Sequence, residues 1–297
     1  MIETGWLWMV FTLLAAAGQT ARNAMQRELT GKLGTVGATH VRFLFGFPFA
    51  LIFLLGVALI SGAPLPKPDP MFWPWVIAGA ATQILATALM LAAMGERSFV
   101  VITAYIKTEP IQVALFGLIF LGDRVTLPMA AAILIATAGV VLMSLKPGTR
   151  DGLLRPALLG LGGGAMFAAS AIGYRGAILA LDGGFVMKAT FTLTIGLGMQ
   201  AAALSLYLAI RDRAVLSAIA RAWRPSLLAG FMGATASQFW FLAFAIATAA
   251  SVRTLALVEV LFAQAISRFI FHQQTSQRDL IGIVLIVAGV ALLLWAH

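Results

Sequence analysis

The stretch VVITAYIKTEPIQVALFGLIF, residues 100–120, is an apolar run interrupted near its middle by Lys107 and Glu109, with Pro110 directly after the glutamate. A run of that length matches one helical crossing of a hydrocarbon core about 30 Å thick. An ionisable side chain at mid-bilayer costs at least about 2.5–3.5 kcal/mol, so it is expected to face the protein interior and to have a task there. Pro110 removes a backbone donor and disturbs the turn before it, and the carbonyl it frees is that of Ile106. A loosened turn at the midplane can present backbone acceptors to a ligand. It can equally serve as a packing kink.

The rest of the chain has the same character. Of 297 residues, 61% are hydrophobic and only 10% charged, and the mean hydropathy is +0.97. That places the chain among integral membrane proteins. Ten apolar runs are long enough to span, near residues 5–25, 36–60, 71–94, 98–121, 127–145, 157–180, 185–210, 224–246, 250–271 and 279–296. The N-terminal run lacks a basic leader and reads as a retained first span. Residues 211–224 are expected to form a short helix on the membrane surface. With no cysteine, disulfides and thiolate-ligated metals are excluded.

The formal net charge of +9 would suggest nucleic acid in a soluble protein. Here the basic residues lie mostly in the gaps between runs, where they orient the chain. The odd-numbered gaps hold eleven: Arg27, Lys32, Arg97, Lys146, Arg150, Arg155, Arg211, Arg213, Arg221, Arg224 and Arg278. The even-numbered gaps hold four: Lys67, Arg124, Lys188 and Arg253. The odd gaps are therefore expected in the cytoplasm and both termini outside. Six tryptophans, Trp6, Trp8, Trp73, Trp75, Trp223 and Trp295, sit near span ends and read as an interfacial belt. Trp240 lies deeper.

A shift of 150 residues aligns Glu109 with Glu259, Ile133 with Ile283, Ala138, Gly139 and Val140 with Ala288, Gly289 and Val290, and Leu142 with Leu292. At a shift of 153, Arg22 in GQTARNA meets Arg175 in AIGYRGA. Five spans per half would insert the second half with opposite sense, an inverted-topology repeat of the kind secondary transporters use. The expected fold class is thus an all-α integral membrane protein, ten transmembrane helices in two five-helix inverted repeats around a central cavity.

On these residues the chain resembles the drug/metabolite transporter superfamily, and in particular the EamA-like ten-helix transporters. EPIQVALFGLIFLGDRVTLPMAAAILIATAGVVLMSL, residues 109–145, resembles the family's strongest signature: a Pro-led helix, an acidic residue with arginine (Asp123 and Arg124), then an Ala/Gly-rich helix. The second copy, 259–295, has Val260 in place of the proline and HQQTSQRD in place of the acidic tip. The resemblance implies repeats over 1–147 and 153–297, and a bacterial inner-membrane transporter. It also implies a cavity lined mainly by spans 1, 3, 4, 6, 8 and 9, with spans 5 and 10 at the periphery.

Candidate substrate-binding residues are Tyr105, Glu109, Gln112, Gln83, Gln238, Trp240 and Glu259. Tyr105, Glu109 and Gln112 fall at i−4, i and i+3, a polar stripe on one helix face. A buried carboxylate is suited to proton exchange near neutral pH, which makes Glu109 and Glu259 the coupling candidates. Each has a structural alternative, an interhelical ion pair. Lys107 points about 200° from Glu109 on an ideal helix, a poor direct partner for it unless Pro110 distorts the turn; it could meet a carboxylate on another helix or contact the substrate itself. Gln83 and Gln238 could bind solute or join helices, and Trp240 could offer its face to an amine or to lipid. Arg22 and Arg175 are candidate gates, with snorkelling to the interface as the alternative. His40 and Arg42 sit early in span 2. The run GLGGGAM, 160–166, allows close helix approach and is not a phosphate loop.

The expected function is secondary transport of a small polar metabolite, amine-bearing, amino-acid-like or cationic, by alternating access, either proton-coupled or by exchange. The bilayer and a small solute are the expected partners, with no nucleic acid, metal or cofactor, and the chain is a monomer or homodimer. The alternative is an intramembrane enzyme acting on a lipid or prenyl substrate, which would need catalytic clusters that the spans lack.

Overall fold

The computed structural model describes residues 4–96, 102, 105–144, 154–261 and 276–296, and among these every regular element is helical. α1 runs Leu7–Ser61, α2 Phe72–Glu96, α3 Glu109–Phe116, α4 Leu127–Ser144 and α5 Leu154–Leu179. α6 follows at Phe185–Arg211, α7 at Arg213–Arg221, α8 at Trp223–Ile246, α9 at Ala249–Leu255 and α10 at Gln277–Ala296. Six helices are long and apolar enough to cross a membrane, and Glu109–Leu121 and Leu127–Met143 are shorter apolar helices. The outer surface is oily: Ile60 and Leu127 are 91% and 85% exposed, as expected where lipid is the solvent.

α1 is two helices in one. Gly34, at φ 68° and ψ 174°, takes a conformation open in practice only to glycine, and the chain folds back there. The Gln26 amide donates to the Ala38 carbonyl at 3.1 Å, although twelve residues of straight helix would hold them about 18 Å apart. α8 packs on both limbs. It meets the first through Gly18 and Ala236, and the second through Gly230 and Phe45. α2 packs on α5, where Gly79 and Gly173 bring the backbones together, and α4 packs on α10. Small residues at such crossings let van der Waals contact replace the hydrophobic driving force that lipid does not supply.

The α4–α10 crossing gives a direct test. A side chain at Gly289 would place its Cβ 2.6 Å from the Ala136 nitrogen and 2.8 Å from the Ala132 oxygen, both backbone atoms. Gly289→Val is expected to destabilise the protein by about 1–3 kcal/mol or more. A thermal unfolding midpoint equal to that of the parent would mean this crossing is not formed as described.

The span of residues 98–121 is broken where the proline predicted. Lys107 and Thr108 form a turn, the Thr108 hydroxyl donates to the Tyr105 carbonyl at 2.7 Å, and α3 starts at Glu109. A π-helical turn, Gly117–Leu121, closes this segment. The chain breaks again ahead of Glu259, without a proline: α9 passes into a 3-10 turn, Ala256–Val258, and Glu259 begins the next helix. Glu109 and Glu259 therefore each stand at a restart of a helix. The glycine run does what its spacing suggested. Gly160 lies against Tyr105, and a Cβ at Gly164 would stand 3.1 Å from the Ile106 carbonyl, so α5 sits directly on the broken turn.

Two expectations change. Trp8 is buried in the core instead of joining the interfacial belt, since packing of the first limb of α1 covers it. Arg253, counted among the gap residues, is buried within α9, which leaves three basic residues in the even gaps against eleven in the odd. Residues 211–224 do form a helix, α7, with Ile219 turned inward and Arg213 and Arg221 exposed. Arg97, Lys146, Arg150 and Arg268 lie outside the described residues.

Candidate functional site

The two broken spans meet at the centre of the bundle through crossed ion pairs. Arg253 Nε lies 3.1 Å from Glu109 Oε1, and Lys107 Nζ contacts Glu259 Oε1. All four side chains are nearly fully buried. Each segment thus supplies one cation and one carboxylate. Neither pair follows the 150-residue shift, which matches Lys107 with Leu257. Lys107 lies in the turn at 107–108 and finds its carboxylate on the other broken segment.

Arg253 extends this centre. Its guanidinium stacks 4.3 Å from the Trp240 ring and 5.5 Å from that of Phe244. The Trp240 indole N–H donates to Gln19 Oε1 at 3.1 Å. Trp240 is buried, so its face meets a cation of the protein, not lipid. A continuous polar chain, Glu109–Arg253–Trp240–Gln19, therefore joins α3, α9, α8 and the first limb of α1.

Beside it lies the central cavity, lined by Gln19, Arg42, Gln83, Ser170, Ser237 and Arg253 among polar side chains, with Phe167, Tyr174, Trp240, Phe241 and Phe244 as aromatic walls. In this conformation it has room for about one water molecule. Gln83 Oε1 accepts from Gln200 Nε2 at 2.9 Å and from the Tyr174 hydroxyl at 3.3 Å. Arg42 donates to the Thr87 hydroxyl at 3.0 Å. Arg22 and Arg42 come together although twenty residues separate them, because α1 doubles back and both stems lie over Gly233 of α8.

Of the residues singled out from sequence, Gln83 and Trp240 line this cavity, and Glu109 and Glu259 stand behind it in the ion pairs. Tyr105 and Gln112 lie instead against Gly160 and Gly164 of α5. Gln238 turns to α6, where its amide donates to the Thr190 hydroxyl at 2.7 Å. Arg22 is 1% exposed and does not snorkel. Arg175 is held at the far end of α5. It donates to the carbonyls of Phe244, at 2.8 Å, and Ala247, and its Nη2 lies 3.5 Å from Asp123 Oδ1. That arginine ties α5 both to the end of α8 and to the tip before α4.

Sequence reasoning missed Arg253, Gln19, Tyr174, Gln200, Ser170 and Ser237, and it expected span 4 on the cavity where span 2 contributes Arg42. For Arg253 a signal existed. Thr248 caps α9, its hydroxyl accepting from the Ser251 N–H at 3.2 Å, and a TxxS cap puts residue 253 in the second turn of a helix.

Residues 6–145 match the pattern of the EamA-like transporter family. A solved structure, described only as "Crystal structure of protein", is similar over 98% of this chain and 96% of its own, with a TM-score of 0.71 and 14% identity, a likeness of fold alone. No curated protein matches the chain.

Proposed function

We propose that the chain, whose residues 6–145 match the EamA-like transporter family within the drug/metabolite transporter superfamily, is a secondary transporter moving a small polar metabolite by alternating access. The observation that carries this reading is the pair of broken helices joined by buried, crossed ion pairs beside a polar and aromatic cavity. Buried charge in a bilayer is expensive and is kept where solute or ions pass.

The helix pairings support two inverted five-span halves. α1 supplies two spans; α2, α4, α5, α6, α8 and α10 supply one each. The remaining two are the broken segments around Glu109 and Glu259. α2 on α5 and the first limb of α1 on α8 are then mates under the repeat, and α4 on α10 is its own mate. Such symmetry lets one half adopt the other's conformation, so one cavity opens first to one side and then to the other. With Arg253 set among the buried residues, the charge bias still favours cytoplasmic odd gaps.

In this mechanism the Arg175 cluster is the gate at the even-gap face, where Asp123, the end of α5 and the end of α8 converge. Opening that face requires Arg175 to leave two carbonyls and a carboxylate. Glu109 and Glu259 are the coupling carboxylates: a proton or solute that competes for either one releases Arg253 or Lys107 and loosens the joint between the broken segments. Among the solute classes expected from sequence, both carboxylates that would receive an amine are already engaged by cations of the protein.

Counterflow tests the reading. Proteoliposomes loaded with one unlabelled metabolite from a panel of amines, amino acids and organic anions should accumulate the same compound in labelled form, at a rate well above protein-free vesicles. If no member of the panel exchanges, the transporter reading fails.

A further inference from the structure

The charges of the centre do not balance. Among the described residues, Arg22, Arg42, Lys107 and Arg253 are buried cations, and Glu109 and Glu259 are the buried carboxylates. Arg253 and Lys107 take both carboxylates, which leaves Arg22 and Arg42 without an acidic partner. Arg22 spends one N–H on its neighbour Asn23, at 2.8 Å, and its Nε and Nη1 have no acceptor. Arg42 donates to the Thr87 hydroxyl and its guanidinium lies 5.2 Å from the Phe43 ring, while its Nε has no acceptor. Both side chains are at least 97% buried. The other charges near Arg22 are Arg42 and Arg253, which repel it, and Glu259, which is already paired. A buried guanidinium with unmet donors is costly, and its fork is shaped to bind an oxyanion through two parallel N–H bonds.

We infer that Arg22 and Arg42 form the anion subsite of the transport cavity, and that the solute carries a carboxylate or phosphate group. The inference rests on the transporter reading above and names the substrate class for the same site. Arg42 lines the cavity itself, with Ser170, Ser237 and Gln19 as further hydrogen-bonding groups around it and Phe167, Phe241 and Phe244 as a wall for an apolar body. An excess of two positive charges admits a monoanion or a dianion. The cavity is too small for such a solute in the closed conformation, so the anion enters when one face parts and neutralises the two arginines as the site closes around it.

The test uses the purified full-length protein and four anion probes: benzoate and succinate for carboxylates, inorganic phosphate and glycerol 3-phosphate for phosphates. Tyramine and putrescine serve as amines without an acidic group. At least one anion is expected to raise the thermal midpoint in a saturable way, and the probe that does so assigns the headgroup. Arg42→Gln and Arg22→Gln should each weaken that probe about tenfold to a hundredfold, the loss of one charge-assisted pair. Arg42→Lys should weaken it less. Without ligand, the Gln variants should melt no lower than the parent, because they remove an unpaired buried charge; a purely structural role predicts the opposite sign. The proposal is overturned if no anion shifts the parent protein, or if the shift survives unchanged in both Gln variants. Exchange assays separate the two readings. Amine exchange with no anion effect removes the anion subsite and leaves the transporter, whereas vesicles that exchange neither class remove both.

Discussion

Glu109→Gln is expected to destabilise the protein by about 3–5 kcal/mol, because it leaves the Arg253 guanidinium buried without its carboxylate. For a chain of this size that lowers the melting midpoint by roughly 6–20 °C. Arg253→Gln should cost a similar amount, since it strands Glu109. The double variant Glu109→Gln/Arg253→Gln removes both charges and should recover most of the loss, as replaced buried pairs often do. Transport behaves differently. If Glu109 couples the cycle, the double variant folds and still does not carry out pH-dependent exchange. Normal pH-dependent exchange by that stable double variant would reduce Glu109 to a strut between α3 and α9.

The second large effect is expected at the other end of the molecule. Arg175→Gln removes the ties from α5 to the carbonyls of Phe244 and Ala247 and to Asp123. Charge-assisted hydrogen bonds are worth about 1.5–3 kcal/mol each, so even one lost in the closed state alone shifts the conformational balance about tenfold or more toward opening at that face. With a cysteine at position 237, which is a serine of the cavity wall, the rate of labelling by a membrane-impermeant thiol reagent from that face should rise at least tenfold. An unchanged rate would mean that Arg175 supports the fold and does not gate it.

Much of this was legible in the residues, and the rest was not for a physical reason. Depth along a helix is a property of one segment. The mid-span positions of Glu109 and Glu259, the break at Pro110 and the close approach allowed by the glycines at 160–164 could therefore be read directly. The angle between Lys107 and Glu109 on one helix argued against a direct pair between them and left a carboxylate on another helix or the substrate as the partner. Which partner it finds depends on how helices pack, and periodicity carries no such information in helices that are apolar on every face. Hence spacing alone names neither the cation that pairs with Glu259 nor the burial of Arg253 within α9, and it puts Tyr105 and Gln112 with the substrate although they face α5. For Arg42 the sequence gives only its place early in span 2. Its neighbour Arg22 could be set beside it only once the reversal of α1 at Gly34 was known.

The absence of native cysteine makes the central claim directly measurable. In Ser237→Cys, the only thiol would stand on the wall of the central cavity, buried in the closed form. Right-side-out and inside-out vesicles can each be exposed to an impermeant thiol reagent, with and without a solute that exchanges. Alternating access predicts labelling from both faces, and a change in the ratio of the two rates when solute is present. Labelling from one face alone under every condition, or from neither, would contradict it.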